Sequence, residues 1–229
     1  STSNNTIFQN WMADNTYGVY LYSPENPNTF YHNNFIDNTW QVYLEDSDFT
    51  NFWDNEFEGN YWSNYTGADL DYDGIGNAPH VIDEYNQDNY PLMGLFNSFS
   101  TSLDYHVNII SNSTIDNFEY FEPNSTITLR VSNMTADQTS GFCRICIPHA
   151  LMNVSAISVI IDDGLTPVLF HNYTLYDNGT HRWIYFAYGH STHKIDIIPE
   201  FPAFLILSIF IVSTLLALIL RRRRSSWRS

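Results

Sequence analysis

Slid along itself by 23 residues, the start of this chain matches its own continuation. Asp14-Asn15-Thr16-Tyr17-Gly18-Val19-Tyr20-Leu21 returns as Asp37-Asn38-Thr39-Trp40-Gln41-Val42-Tyr43-Leu44. A third copy is read at an offset of 22, with Phe30-Tyr31-His32-Asn33-Asn34-Phe35 becoming Phe52-Trp53-Asp54-Asn55-Glu56-Phe57. A unit this short cannot bury a core alone, so it must stack on its neighbours. Alternation sends Tyr17, Val19 and Leu21 to one face, with Trp40, Val42 and Leu44 above them, while Tyr20 and Tyr43 point the other way. The period is that of strands.

Asparagine recurs at matching places. The offsets put Asn10, Asn33 and Asn55 in one file and Asn15, Asn38 and Asn60 in a second. Amides stacked about 4.8 Å apart can donate to one coil and accept from the next, satisfying polar groups at tight corners. In these repeats the chain resembles the right-handed parallel β-helix family, among the carbohydrate-binding and sugar-hydrolase repeats that include NosD-like proteins. The resemblance spans about residues 1–95 and implies the last coils of a solenoid. Gly59-Asn60-Tyr61-Trp62-Ser63-Asn64-Tyr65 and Asp83-Glu84-Tyr85-Asn86-Gln87-Asp88-Asn89-Tyr90-Pro91-Leu92 resemble the segment that ends the solenoid in archaeal NosD-like surface proteins. Such a segment must cover unpaired strand edges and an apolar end, and Trp53, Tyr61, Trp62 and Tyr65 are the expected covering groups; sugar stacking is their other use.

Between these stretches lies Asp69-Leu70-Asp71-Tyr72-Asp73-Gly74-Ile75-Gly76-Asn77. Carboxylates at alternate positions, followed by a glycine that permits a sharp turn, can wrap one hard cation. The expected ligands are Asp69, Asp71, Asp73, the Ile75 carbonyl and Asn77, and oxygen-only ligation favours Ca²⁺. His80 occupies the place of the bidentate glutamate of an EF-hand, so a closing carboxylate is expected from Asp83, Glu84 or Asp88.

Residues 102–198 carry short alternating runs separated by turn signals such as Asp162-Asp163-Gly164 and Asp177-Asn178-Gly179, which predicts a small antiparallel β-sandwich. Of the seven asparagines from Asn112 to Asn178, six stand in Asn-x-Ser/Thr sequons: Asn112, Asn124, Asn133, Asn153, Asn172 and Asn178. These are expected glycan acceptors on an exported surface. Cys143 and Cys146, three apart on an expected strand, point to opposite faces, which argues against a mutual disulfide or a thioredoxin-like site. The same spacing separates His190 and His193, and no cluster of Cys, Met and His suggests copper.

Residues 201–220 are uncharged and run directly into Arg221, Arg222, Arg223 and Arg224. That length spans a bilayer, and the arginines predict a cytoplasmic tail with residues 1–200 outside the cell. Five of the nine basic residues lie beyond the span, leaving 4 − 25 = −21 before it. A surface of that sign excludes nucleic-acid binding. The chain lacks a signal peptide at its start, although its topology requires export, so a longer precursor is expected. Pro199, Glu200, Phe201 and Pro202, followed by the span and the arginines, resemble PEF-type C-terminal sorting signals of archaea. The resemblance implies an archaeosortase-like protease as a partner; permanent anchoring is the alternative.

The expected architecture is all-β: parallel β-helix coils over 1–60, a capping segment over 61–98, the β-sandwich, the motif with one transmembrane helix and its arginines over 199–224, and a tail over 225–229. The expected role is that of a cell-surface structural or binding protein with a polysaccharide partner, stiffened by Ca²⁺. Two alternatives remain: a polysaccharide lyase or hydrolase whose site lies on earlier coils, and copper handling, implied only by the NosD name.

Overall fold

The computed structural model describes residues 4–22, 26–45, 48–154, 156–162, 167–170, 173–189 and 191–200, with the side chains of 167–170 excepted. Strands β1 (Thr6–Phe8), β2 (Trp11–Ala13) and β3 (Tyr17–Leu21) form one coil. The next coil repeats them as β4 (Thr29–Tyr31), β5 (Asn34–Ile36) and β6 (Trp40–Leu44), and a third contributes β7 (Tyr61–Trp62). Pairing between coils is parallel: Thr6 opposite Thr29, Trp11 opposite Asn34, Tyr17 opposite Trp40 and Asn34 opposite Tyr61. Tyr20 and Tyr43 stack outside, 5.1 Å apart, but Tyr17 and Trp40, expected on the inner face with Val19 and Val42, are exposed as well and reach the Tyr43 ring at 5.0 and 6.5 Å.

The corners explain the asparagines. Asn4, Gln9, Asp14, His32 and Asp37 all have left-handed backbone, with φ from 48° to 58°, and each precedes an asparagine. A left-handed residue turns the chain sharply, and the amide that follows ties the corner to the coil beyond. One file runs from Asn5 through Asn28 and Asn51 to Asn86, each backbone N–H donating to the next side-chain oxygen at 2.9–3.1 Å. A second runs from Asn10 through Asn33 and Asn60 and ends on Asp88, and a third joins Asn15 to Asn38.

The third copy is therefore in a different register from the one its sequence suggests. Thr29, not Phe30, bridges Phe52, and Asn33 is followed by Asn60 rather than Asn55. The step from coil to coil is 23 residues at Asn28 to Asn51 but 27 at Asn33 to Asn60. Four extra residues loop out around 54–58, where the Asn55 side chain accepts from the Phe57 and Glu58 N–H groups and caps its own turn.

Aromatic rings fill the coils. Phe30 stacks on Trp53 at 4.5 Å and Phe35 on Trp62 at 4.2 Å, all four fully buried. Trp53 and Trp62 are thus inside the coil rather than over its end. The end is covered by His80, stacked on Trp62 at 4.6 Å, from the small hairpin of β8 (His80–Val81) and β9 (Gln87–Asp88). That hairpin also supplies Asp88, with Asn86 just before it, so the capping segment terminates two amide files.

The second half is a sandwich of two five-stranded antiparallel sheets. Its strands are β10 (Leu95–Ser100), β11 (His106–Ser111), β12 (Thr114–Phe121), β13 (Thr126–Ser132), β14 (Ser140–Pro148), β15 (Ala156–Asp162), β16 (Pro167–Phe170), β17 (Thr174–Asp177), β18 (His181–Gly189) and β19 (His193–Glu200). One sheet has the order β10-β11-β14-β18-β17, the other β12-β13-β19-β15-β16. Strict alternation in β13, β15, β18 and β19 sends Leu129, Val159, Ile184, Ile195 and their neighbours into one shared core, each such side chain contributing about 1.5–3 kcal/mol. Residues 95–98, expected in the cap, belong to β10 and open the first sheet. Cys143 faces this core, Cys146 lies on the opposite face of the same strand, and both are free.

No helix among the described residues is long and apolar enough to cross a membrane. The expected span at 201–220 and its arginines lie outside the described residues, as do Phe201 and Pro202 of the sorting motif. Pro199 and Glu200 are the end of β19, paired with Ile157 and Ala156.

Candidate functional site: the junction of coil and sandwich

Coil and sandwich are joined by chemistry drawn from both. The Asn34 amide sits on the backbone of Phe96 in β10, donating to its carbonyl at 2.9 Å and accepting from its N–H at 2.8 Å. It imitates a strand partner. Beside it the His32 ring stacks on Phe96 at 3.9 Å, and Leu92, Phe96, Ile110 and Phe142 form a small apolar core beneath the end of the coil. From the looped-out turn of the third coil, Glu58 meets His32 Nε2 at 2.6 Å and pairs with Arg144 of β14. Burial pushes the Glu58 carboxyl up, but the His32 hydrogen bond and the charges of Arg144 and His32 outweigh it and hold the group at about 2.

This docking covers only part of the outer face of the β10-β11-β14-β18-β17 sheet. The remainder is the floor of a groove of about 900 Å³, where Asn108, Arg144, Cys146, Trp183 and Tyr185 point away from the sandwich core. Phe57 and Glu58 of the coil and Asp71, Tyr72 and Asp73 of the acidic loop form its walls. Tyr176 and Trp183 lie 5.4 Å apart, Arg144 stands 6.0 Å from the Trp183 ring centre, and Tyr72 reaches Tyr185 at 6.3 Å. Burial pushes the Cys146 thiol and the Tyr185 phenol up to about 12, so both are neutral near pH 7.

The acidic loop gathers Asp69, Asp71 and Asp73 so that their carboxylate oxygens lie within 4.8 Å of one another. Asp69 accepts from the Asp73 and Gly74 N–H groups, and Asp71 accepts from the Asn77 amide at 3.1 Å. Gly74 turns the loop at φ 83°, and a Cβ there would stand 2.8 Å from Arg144 Cδ, so a side chain at this position would be strained twice over. Burial, followed by the Asp71 and Asp69 charges, raises the Asp73 carboxyl against the pull of the Ile75 N–H and Arg144. Three clustered carboxylates suit a hard divalent cation, with Asn77 and the Ile75 carbonyl on the same loop. Asp83 stands outside that cluster: its carboxylate holds the Tyr85 and Asn86 N–H groups and the Asn86 amide.

The sequons divide by environment. Asn124, Asn133, Asn153 and Asn178 are exposed, and Asn178 accepts from the N–H and hydroxyl of Thr180 at 3.0 and 2.9 Å. Asn112 is half-buried and, just past the end of β11, is bound to the Phe142 N–H and the Ser140 carbonyl of the neighbouring β14. Asn172 lies outside the described residues, as does His190. His193 is engaged by the Gly189 carbonyl and Ser191.

Sequence reasoning missed Asn34, Glu58, Arg144 and the groove itself. Their partners lie 62 and 86 residues apart, with no local pattern to announce them. Asp88 was legible only as a calcium candidate. It is fully buried, accepting from the Asn60 N–H at 2.7 Å, the Trp62 indole at 2.8 Å and the Tyr90 N–H at 3.0 Å. Burial outweighs these donors and pushes its carboxyl up to about 7.

Parallel coils stitched by amide files make the first part of the chain β-helix-like. Residues 1–67 match the family model described as "Periplasmic copper-binding protein (NosD)", which supports a NosD-like β-helix over that stretch. No curated protein and no solved structure matches the chain.

Proposed function

We propose that this chain is part of a cell-surface β-helix protein with a structural or carbohydrate-binding role, held outside the membrane by residues 201–220. Ca²⁺ on the Asp69-Asp71-Asp73 loop stiffens the junction, and the exposed sequons of the sandwich carry N-glycans. The observation behind this reading is the fixed seam: Asn34 on Phe96, and Glu58 between His32 and Arg144, make coil and sandwich one stiff unit rather than two modules on a tether. Stiffness suits a part that presents a surface at a distance from the cell. The burial of Pro199 and the pairing of Glu200 in β19 favour permanent anchoring over sortase cleavage at these two residues, because a protease would first have to peel the last strand away.

An antibody against the sandwich should bind intact cells, whereas a tag placed after Ser229 should be reached only once the cells are permeabilised. The opposite pattern would reverse the topology and end the proposal. The description of the matched family gives copper handling as a second reading. Against it, the metal-ready cluster among the described residues is made of carboxylates, which suit hard cations better than copper; retention of stoichiometric Cu⁺ or Cu²⁺ through gel filtration would favour copper instead.

A further inference from the structure

We propose that the junction groove binds a neutral oligosaccharide, with sugar rings laid on the Tyr176–Trp183 shelf. The proposal refines the surface-protein reading and rests on it only for where such a ligand would be met. A volume of about 900 Å³ lies at the upper end of small-ligand sites and has room for several sugar rings. Sugars present one apolar C–H face and a rim of hydroxyls, so their sites need flat aromatic faces next to hydrogen-bonding groups. This groove has both. Tyr176 is 65% and Tyr72 61% exposed, and Asn108, His106, His181, Asp71 and Asp73 stand around the aromatic floor. An acyl chain would need an aliphatic sleeve, whereas Ile75, Pro148 and Leu175 are the aliphatic part of a lining otherwise mostly aromatic and polar.

Charge selects the class of sugar. Glu58, Asp71, Asp73 and Asp104 line the groove without a lysine, and its one guanidinium, Arg144, is already paired with Glu58. Even with one Ca²⁺ held by Asp69, Asp71 and Asp73, these carboxylates together with Glu58, Asp104 and Arg144 sum to −5 + 1 + 2 = −2, so a uronate or sulfated polymer would meet repulsion. A neutral chain meets no such barrier, and the same carboxylates accept from its hydroxyls.

Calorimetry on the full-length chain, run both with millimolar Ca²⁺ and in chelator so that cation bridging is separated from direct binding, can test this with cellohexaose, mannohexaose and hexagalacturonate. At least one neutral hexamer should bind. Trp183→Ala and Tyr176→Ala should each weaken it about tenfold or more, or about 1.4 kcal/mol; Tyr176→Ala, at a side chain 65% exposed, should do so without a change in melting temperature, which separates binding from the stability that half-buried Trp183 lends. Trp11→Ala, on the exposed face of the first coil, should leave binding unchanged. Absence of heat with both neutral hexamers, tighter binding of hexagalacturonate, or preferential capture of peptides from a random library would each overturn the proposal. Binding lost in Trp11→Ala but intact in both groove variants would move the sugar to the coil, overturning the groove assignment and leaving the surface reading, which the antibody test addresses separately.

Discussion

Replacing Asn60 with alanine should nearly unfold the coil, although it deletes only a small amide. Asn60 is fully buried, and its side chain ties the second coil to the third. Its oxygen accepts from the Asn33 N–H at 3.1 Å and the Asn33 amide at 2.9 Å; its amide donates to the Phe30 carbonyl at 3.0 Å and the Trp53 carbonyl at 2.7 Å. Alanine would leave the Asn33 N–H and the Phe30 and Trp53 carbonyls without these bonds in a dry interior. Each buried orphan costs about 1–3 kcal/mol, so even with partial relaxation the loss comes to roughly 3–6 kcal/mol. That is a large share of the ~5–15 kcal/mol that holds a typical domain together. Asn15→Ala breaks the corresponding bond at an exposed corner, where water replaces it, and should cost below about 1 kcal/mol. Four of the six tryptophans lie in the coils, so urea unfolding followed by fluorescence reports on the affected part. An Asn60→Ala loss no larger than that of Asn15→Ala would refute the view that buried amide files hold the coils together.

Asp88 gives stability a pH slope of unusual sign. Its folded value of about 7 lies above the ordinary 3.8, so over that window the folded chain keeps a proton that the unfolded chain has lost. Stability should be greatest below the ordinary value and fall as pH rises through 7, by up to about 1.4 kcal/mol per unit; Asp88→Asn should flatten thermal melts over that range, and an unchanged slope would count against the assignment. Glu58 acts in the opposite sense: held at about 2, below its ordinary 4.5, it contributes above 4.5 and loses that contribution as pH falls through 2. Glu58→Gln should weaken the seam by about 2–4 kcal/mol through the poorly paired Arg144 it leaves behind, seen as faster proteolysis between coil and sandwich. Millimolar Ca²⁺ should raise the melting temperature of the wild type and not of Asp71→Ala; no shift in either would remove the calcium site. Glycopeptide mass spectrometry on the native protein should find glycans on Asn124, Asn133, Asn153 and Asn178 and none on Asn112, whose amide is held against β14.

The parts visible in the sequence are those governed by nearest-neighbour rules. Parallel register between the first two coils follows from identical spacing of Asn15 and Asn38, and the sandwich strands follow from alternation in segments such as Thr126–Ser132. The third coil misleads because Asn55, in a loop, is chemically identical to Asn60, in the file; only the fold separates a residue capping its own turn from one bridging coils. Asp88 is hidden for a related reason: a carboxyl takes the amide's place at the end of its file and breaks the pattern, whereas the neighbouring file keeps an amide, Asn86, at its end. The groove is less visible still. It combines residues from the 30s, 50s, 70s, 100s, 140s, 170s and 180s that only the docking of coil on sheet brings together.

Coil-to-coil register is tested most directly by disulfide trapping with Cys143 and Cys146 replaced by serine. Tyr20 stands opposite Tyr43 in adjacent parallel strands, at a spacing of about 4.8 Å that lies within disulfide reach. Tyr20→Cys with Tyr43→Cys should therefore oxidise readily, while Tyr20→Cys with Trp40→Cys, three places out of register, should stay reduced. Equal cross-linking of the two pairs, or of neither, would contradict the stacked parallel coils on which the rest of the account is built.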